Sequence, residues 1–293
     1  VDSDYALGEL HTLGQACLWL IGHSKLAEAL QSGRDPHTAM ACEILGIPYE
    51  MGKKLKELKD VDFDNARNSG KAINFGKPGG LGVETMRAYG IRSYGVDLPT
   101  RCACPDITLP SCKCRTWEKL LKLWESLWTE MPAYFRWVDA QRAKVTRAVV
   151  GGLGRGLGGG GGKNSNGKRE QLYNIRQPFS RRLRAGATYC SGCNSVFQGL
   201  LADVAKRAGW YLFKACYLSP SVLLNLNIRL QDKPHKTQEE YELNIHQASP
   251  IYGCRPINFI HDQFLVEAPE TRGDAAANVT GLLMDRAGEE ILP

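Results

Sequence analysis

The segment over residues 62–80, DFDNARNSGKAINFGKPGG, limits the possible folds of this chain more than any other stretch. Arg67, Lys71 and Phe75 follow one another at intervals of four residues, which places them on one face of a helix. The spacing predicts a helix over 60–76, begun by an aspartate and stopped by the proline and glycines that follow. Two cations and an aromatic ring on one face suit an anion with a flat apolar part. A solvated surface is the alternative for isolated cations, but it does not explain the aromatic ring in line with them.

The bulk composition narrows the class of protein. The chain has 293 residues, enough for one large domain or two modest ones, and its 43% hydrophobic and 23% charged content is typical of soluble globular proteins. A net charge of +6 is compatible with a nucleic-acid partner but does not establish one. No signal peptide and no apolar run near ~20 residues is found, so we expect no membrane partner. We expect a cytoplasmic location, with the cysteines present as thiols or metal ligands.

Periodicity and turn residues predict a mixture of helices and strands. The first residue falls inside a predicted strand, so we expect a fragment or the downstream half of a longer chain. The predicted elements are a strand and turn over 1–10, a helix over 11–31, a helix begun by Asp35 and Pro36, a loop over 101–115, a helical stretch over 116–148 interrupted at Pro132, a loop over 151–167, a helix over 193–215, and a hairpin over 257–268 with His261, Asp262 and Gln263 at its turn.

Two carboxylates lie at strand ends, far apart in the sequence. Asp4 follows the first strand and Asp262 lies between the two strands of the hairpin. Only a sheet can bring such residues together, and a carboxylate pair can hold two hard divalent cations. These cations would activate a hydroxyl group and neutralise charge on a phosphoryl group in transfer. Taken by itself, Asp4 fits a turn or capping carboxylate better than a metal ligand, so the interpretation depends on the whole set of residues.

Three segments occur in the order DSDYALGEL, RNSGKAINFG and FIHDQFLVE. Together they resemble the A, B and C motifs of family A DNA polymerases, the bacterial DNA polymerase I group, and the chain is more similar to phage members than to cellular ones. CNSVFQGLLAD resembles a further Asn-x-x-x-Gln-Gly segment of that family, whereas residues 98–188 match only loosely.

The resemblance implies an α+β fold, namely a right-hand palm with an antiparallel sheet and helices, joined to mostly helical fingers. The palm would comprise 1–30 and 189–293, and the fingers would comprise 31–188 with their Cys-rich and Gly-rich loops. The thumb and the exonuclease precede the first motif in this family, so both would be absent from this chain.

The implied activity is template-directed DNA synthesis, in which dNMP is transferred to a primer 3′-hydroxyl with two Mg²⁺ ions. The implied partners are a DNA primer-template and dNTP, in a bacterial or phage-infected cell. Asp4 and Asp262 would be the catalytic metal ligands, with the backbone carbonyl of Tyr5 as a further ligand. Lys71 would be catalytic as well, because it could protonate the leaving pyrophosphate.

The resemblance also implies binding roles for other side chains. Arg67 and Lys71 would grip the triphosphate, while Phe75 would pack on the sugar and base. Glu9 would be the steric gate that excludes a ribose 2′-hydroxyl. The remaining implied contacts are His37 to a phosphate, His261 to the primer terminus, and Asn194 and Gln198 to the minor groove of the primer-template.

Four features depart from the family pattern. The first motif has Ala6-Leu7-Gly8 where a polar pair and an aliphatic residue are usual. Gly79 stands where a tyrosine stacks on the templating base, which puts fidelity control in doubt. Gln263 replaces the second acid of His-Asp-Glu, and it can donate a hydrogen bond but cannot give full negative charge to a metal. Cys190 stands where an arginine is common. Both aspartates assigned to the metals are retained.

The cysteines allow two interpretations. Cys102, Cys104, Cys112 and Cys114 form a Cys-x-Cys…Cys-x-Cys pattern that could bind structural zinc, although this spacing is tighter than that of zinc knuckles. Free thiols are the other reading. We interpret Cys190 and Cys193 as packing residues.

Two further patterns are interpreted as structural. GRGLGG over 154–159 is not expected to bind a dinucleotide because no helix follows it. Trp117, Trp124 and Trp128 have roughly helical spacing, which favours core packing over base stacking.

Three alternatives to an autonomous DNA polymerase remain open at the level of sequence. The chain could be an inactive or partner-dependent fragment of a split polymerase that only binds DNA, with an upstream chain carrying the thumb and exonuclease. It could be related to single-subunit RNA polymerases, although Glu9 argues against ribose in the site. A zinc-stabilised DNA-binding module without catalysis would depend on the cysteines.

Overall fold

The computed structural model describes residues 1–104, 114–148, 172–217, 251–260 and 262–292. This part of the chain is mostly helical, with two small antiparallel sheets, which is the α+β class that was predicted. The helices are α1 (Gly8–Ile21), α2 (Lys25–Gln31), α3 (Pro36–Leu45), α4 (Tyr49–Glu57), α5 (Val61–Gly76), α6 (Val83–Tyr94), α7 (Trp117–Leu127), α8 (Met131–Ala148), α9 (Tyr189–Tyr217) and α10 (Gly273–Ile291). The strands are β1 (Asp2–Asp4), β2 (Tyr173–Arg176), β3 (Leu183–Ala187), β4 (Arg255–Ile260) and β5 (Gln263–Glu267).

The chain forms two compact units. The first combines Val1–Glu9 with Gly199–Pro293, and the second is Leu10–Gln198. Their assignment to palm and fingers, with the boundaries predicted above, stays a prediction. None of the described helices is both long enough and apolar enough to cross a bilayer.

A three-stranded antiparallel sheet in the order β1-β5-β4 organises the first unit. The predicted hairpin is confirmed, since Ile260 pairs with Gln263, but Gln263 begins β5 and does not lie in the turn as predicted. Phe264 and Val266 alternate toward the interior, where they join a core built from the second half of α9 and from α10. The sheet therefore has one buried face, which specifies its register.

The predicted helix over 11–31 is wrong in one respect, because it is two helices. α1 ends at Ile21, and Gly22 takes a positive φ of 91°. Ser24 then caps α2 by accepting a hydrogen bond from the Ala27 amide at 3.0 Å. The hydroxyl of Ser24 donates to the buried carboxylate of Glu130 at 2.7 Å, so a distant residue holds the break.

Other predicted helix ends are confirmed by their caps. Asp35 accepts from the His37 amide at 2.9 Å, with Pro36 at the first position of α3. Asp60 accepts from the Phe63 amide at 2.9 Å and begins α5. The capping aspartates therefore fix where α3 and α5 begin.

The helical stretch predicted over 116–148 breaks slightly earlier than expected. α7 ends at Leu127 and α8 begins at Met131, so Pro132 lies in the first turn of α8. A proline is tolerated there because an N–H group in the first turn has no partner within the helix. Trp117, Trp124 and Trp128 are at most 2% exposed, which confirms that they pack in the core.

Candidate functional site

Two aspartates meet at one edge of the sheet in the first unit. β1 ends at Asp4, which pairs with Gln263, the residue that begins β5 immediately after Asp262. In an antiparallel pair the end of one strand lies beside the start of the other, so both aspartates leave the sheet at the same edge. We refer to Asp4 and Asp262 as the acidic edge. The sheet thus places the two residues that the sequence predicts as metal ligands at the same end of neighbouring strands.

Tyr5 lies next to the acidic edge. Its hydroxyl donates to the Met284 carbonyl on α10 at 3.1 Å. Burial raises the pKa of Tyr5, and the negative charges of Asp285 and Asp262 raise it further. The phenol is therefore protonated at neutral pH, in a negative field that favours a cation.

Asp285 on α10 is an acidic residue that the sequence analysis missed. Burial raises the pKa of its carboxyl group, with a further contribution from Glu289. Its surroundings in sequence show only helical periodicity, so no local signal marks it. Only the packing of α10 against β1 places its charge near Tyr5.

The donor chemistry of this edge fits magnesium. Carboxylate and carbonyl oxygens are the hard ligands that this cation prefers. The Tyr5 carbonyl accepts a long bond of 3.3 Å from the Gly8 amide, which leaves a second lone pair. Gln263 stabilises the sheet, because its side-chain amide donates to the Asp2 carboxylate at 3.0 Å and so links β5 to β1.

Glu9, the predicted steric gate, lies in the first turn of α1 and is half-buried. Gly8 before it lies close to Leu201, since a Cβ on Gly8 would come within 2.9 Å of the Leu201 Cδ1 atom. The carboxylate of Glu9 is thus held at a helix N-terminus, where negative charge is favoured.

A cationic helix face lies in the second unit. Arg67, Lys71 and Phe75 are half-buried on α5, while the other side of the helix faces the core. α5 packs closely on α3 at Gly70, where a Cβ would lie 3.1 Å from the His37 carbonyl oxygen. The same close packing places the rings of His37 and Phe75 5.0 Å apart. The helix pair therefore assembles the four side chains predicted to hold a triphosphate.

Arg67 already has an anionic partner in the protein. Its Nη2 atom lies 2.7 Å from Asp35 Oδ2, and Lys56 lies 3.2 Å from the same oxygen. Burial of the Asp35 carboxylate opposes ionisation, but hydrogen bonds from Arg67, Thr38 and the His37 amide outweigh it. The pKa of Asp35 is consequently held well below its usual range. The sequence analysis identified Asp35 only as a helix cap and missed this ion pair.

Lys71 differs from Arg67. Within the described ranges it has neither a hydrogen-bond nor an ion-pair partner, although its charge reaches the ring of His37. An ammonium group with no internal partner can meet an anion without breaking a bond.

Asn74 joins α5 to α3 and α7. It is 2% exposed, and its Oδ1 atom accepts from the indole nitrogens of Trp124 at 2.9 Å and Trp128 at 3.2 Å. Its Nδ2 atom donates to the Pro36 carbonyl at 3.1 Å and lies 3.1 Å from Nδ1 of His37. Every hydrogen-bonding position of the amide is used.

This network assigns the tautomer of His37. Indole N–H groups only donate, so the amide oxygen of Asn74 must face Trp124 and Trp128. The NH₂ group must then face His37, whose Nδ1 atom has to accept. A neutral imidazole in this place therefore carries its proton on Nε2.

The electrostatic surroundings keep that imidazole neutral. Burial lowers the pKa of His37 to about 4; Asp35 opposes the change, while Arg67, Lys71 and Lys56 add to it. At neutral pH, His37 is thus a hydrogen-bond donor without charge.

The residues predicted to contact the primer-template lie on α9. Asn194 and Gln198 are half-exposed and one helical turn apart. The side chain of Asn194 rests on Gly79, because a Cβ there would be 2.7 Å from the Asn194 Oδ1 atom. Gly79 thus serves packing at the position where the family has a stacking tyrosine. His261, Cys112 and the glycine-rich stretch over 154–159 lie outside the described residues.

Comparison with known proteins supports the fold. No protein-family model and no curated protein sequence matches the chain. Among solved structures, the chain is similar to the POL domain of Pol1 from M. smegmatis, in complex with DNA primer-template and dNTP. The TM-score is 0.50 and the identity 18%, over 100% of this chain and 36% of that chain. The chain has a DNA polymerase-like fold.

Within this polymerase-like fold, the described cysteines are thiols without disulfide bonds. Cys193 is fully buried in the core of the second unit, as predicted, whereas Cys190 is half-buried. Cys102, Cys104 and Cys114 lie together in the connection from α6 to α7, and their sulfur atoms are all within 4.8 Å of one another.

Proposed function

We propose that the chain is the palm and fingers portion of a template-directed DNA polymerase, which adds dNMP to a primer 3′-hydroxyl. The observation that carries the proposal is the placement of Asp4 and Asp262 at the same edge of adjacent antiparallel strands. The sequence order of the three motifs and the polymerase-like fold support it.

Asp4, Asp262 and the Tyr5 carbonyl would hold two magnesium ions. Bound there, the ions would promote ionisation of the primer hydroxyl and neutralise charge on the transferred phosphoryl group. The two aspartates would fix the positions of the ions, because the sheet fixes the strands from which both aspartates extend. The protonated phenol of Tyr5 holds the edge against α10 through Met284.

The cationic face of α5 would receive the triphosphate. Lys71 offers an ammonium group that has no hydrogen-bond or ion-pair partner in the described part of the chain, and Arg67 would exchange its bond to Asp35 for a phosphate. His37, which is 3% exposed, would donate from Nε2 once nucleotide binding opens the surface above its ring. The uncharged ring adds a directed hydrogen bond without further positive charge.

The reaction forms a bond between the primer O3′ and the α-phosphorus, and breaks the bond from that phosphorus to the bridging oxygen. The primer hydroxyl releases its proton to solvent when O3′ attacks. Lys71 would give a proton to the leaving pyrophosphate and would recover one from solvent. Phe75 would pack on the sugar and base, while Glu9 would occupy the space of a 2′-hydroxyl. Asn194, Gln198 and His261 would contact the primer-template.

Primer extension with single variants tests the proposal. Asp4→Ala and Asp262→Ala should each abolish extension and leave binding of a labelled primer-template largely unchanged. Asp274→Ala, which removes an exposed carboxylate from the start of α10 in the same unit, is the matched control and should retain extension. Extension that persists in Asp4→Ala or Asp262→Ala would refute the assignment of the acidic edge.

The same assay separates the partner-dependent alternative. A chain that binds DNA but extends primers only after addition of an upstream chain with a thumb would be one half of a split polymerase. Extension by the chain alone would exclude that reading. Supplying NTP in place of dNTP distinguishes the RNA polymerase alternative.

A further inference from the structure

We propose that Cys102, Cys104 and Cys114 bind a structural zinc ion that closes the connection between α6 and α7. Their sulfur atoms lie within 4.8 Å of one another, and those of Cys104 and Cys114 are 3.4 Å apart. Thiolates on one tetrahedral zinc, at about 2.3 Å from the metal, are separated by about 3.8 Å. Small adjustments of side-chain torsions would therefore suffice to coordinate the ion.

The backbone prepares this arrangement. The amide of Trp117 donates to the Pro99 carbonyl at 3.0 Å, and the amide of Glu118 donates to the Thr100 carbonyl at 3.1 Å. These bonds hold the segment that leaves α6 beside the segment that enters α7. Cys102 and Cys104 come just after Pro99 and Thr100, and Cys114 comes just before Trp117. The paired segments therefore bring the three thiols close to one another.

The returning chain is anchored in the core of the second unit. Trp117 is fully buried, and its ring fills the space above Gly90 on α6. Thr116, which is 1% exposed, caps α7 by accepting from the Lys119 amide at 3.3 Å. The sulfur of Cys114 thus extends from a chain whose position is already fixed, which lowers the entropy lost when a metal binds.

The surroundings of the sulfurs suit thiolates. The amide of Cys104 donates to the sulfur of Cys102 at 3.4 Å, and such outer hydrogen bonds orient metal ligands. Arg101 and Arg115 flank the cluster in the sequence, and their positive charges would offset the negative charge that three thiolates bring to a divalent zinc.

Ligand chemistry separates this site from the acidic edge. Soft thiolates select zinc, whereas carboxylates and carbonyls select magnesium. The ion would brace the link between α6 and α7 and take no part in nucleotide transfer, since the three sulfurs hold together the two chain segments that join these helices.

Metal analysis of the purified, reduced full-length chain tests the proposal. We expect one zinc ion per chain, and we expect the intense thiolate-to-metal absorption of a sulfur-rich site when cobalt replaces zinc. Cys104→Ser and Cys114→Ser should each lose the zinc, and the matched control Cys190→Ser should retain it. Removing zinc with a chelator should lower the melting temperature of the wild type and leave that of Cys114→Ser unchanged.

Two results would overturn the proposal. One is a wild-type chain that contains no zinc and shows no cobalt–thiolate absorption after metal is supplied under reducing conditions. The other is a disulfide between Cys104 and Cys114, mapped by mass spectrometry, that persists in reductant and excludes metal. Both measurements use the wild type, so they remain decisive if a serine variant fails to fold.

Discussion

Replacing Asn74 with leucine tests the network that connects α3, α5 and α7. Leucine has nearly the same shape as asparagine but makes no hydrogen bonds. The substitution would leave three groups without a hydrogen-bond partner, namely the indole nitrogens of Trp124 and Trp128 and Nδ1 of His37. The Pro36 carbonyl would lose the Asn74 amide but keep its bond within α3. The site is 2% exposed, so bulk water does not readily replace the lost amide.

The expected loss of stability is large. A buried polar group left without a partner costs about 1–3 kcal/mol. Three such groups at the lower end of this range predict a decrease of about 3 kcal/mol in the free energy of unfolding. That decrease is a large fraction of the ~5–15 kcal/mol that typically stabilises a domain.

Urea unfolding at pH 7 measures the effect. Asn65→Leu is the matched control, because it makes the same change on an exposed position of the same helix. Its effect should stay within about 0.5 kcal/mol. The difference between the two variants cancels the change in helix propensity that both share.

The tautomer of His37 gives a second readout of the same variant. Nitrogen NMR of the wild type should show the proton on Nε2, and Asn74→Leu should permit both tautomers. If Asn74→Leu loses less than about 1 kcal/mol relative to Asn65→Leu, or if the wild type carries its proton on Nδ1, the described network is wrong.

Three further predictions follow from other contacts. Gly70→Ala should lower the free energy of unfolding by about 1–3 kcal/mol, because its Cβ would press on a backbone carbonyl. The control Gly288→Ala on α10 places its Cβ in open space and should raise the free energy of unfolding by up to about 1 kcal/mol. Equal effects of the two variants in thermal unfolding would contradict the tight contact between α3 and α5. Asp35→Asn should lower stability at pH 7 by about 2 kcal/mol, since the ion pair with Arg67 is lost. The pKa of Asp35 is lower in the folded than in the unfolded protein, so the stability that its ion pair contributes is complete above about pH 4 and is lost as the pH falls toward the folded pKa. If wild type and variant differ in free energy of unfolding by the same amount at pH 3 and pH 7, the ion pair is not the cause of the difference. Glu9→Ala should allow ribonucleotide incorporation in primer extension, and unchanged sugar selection would remove its role as a gate.

Local sequence determined much of the secondary structure. Asp60 at the start and the glycines after residue 76 delimit α5, and the helical repeat puts Arg67, Lys71 and Phe75 on one face. The two apolar runs on either side of a polar triplet likewise predicted β4 and β5. These features are local, because a cap or a periodic pattern acts within a few residues.

Only the tertiary structure decided which groups meet across the elements. Glu130 holds the break between α1 and α2, Asp35 is the partner of Arg67, and Asn74 orients His37. The strand register that pairs Asp4 with Gln263, next to Asp262, also depends on tertiary structure, although the sequence motifs had suggested that the two aspartates lie close together. A helical or strand repeat fixes the direction of a side chain on its own element, but its partner and its burial depend on how distant elements pack.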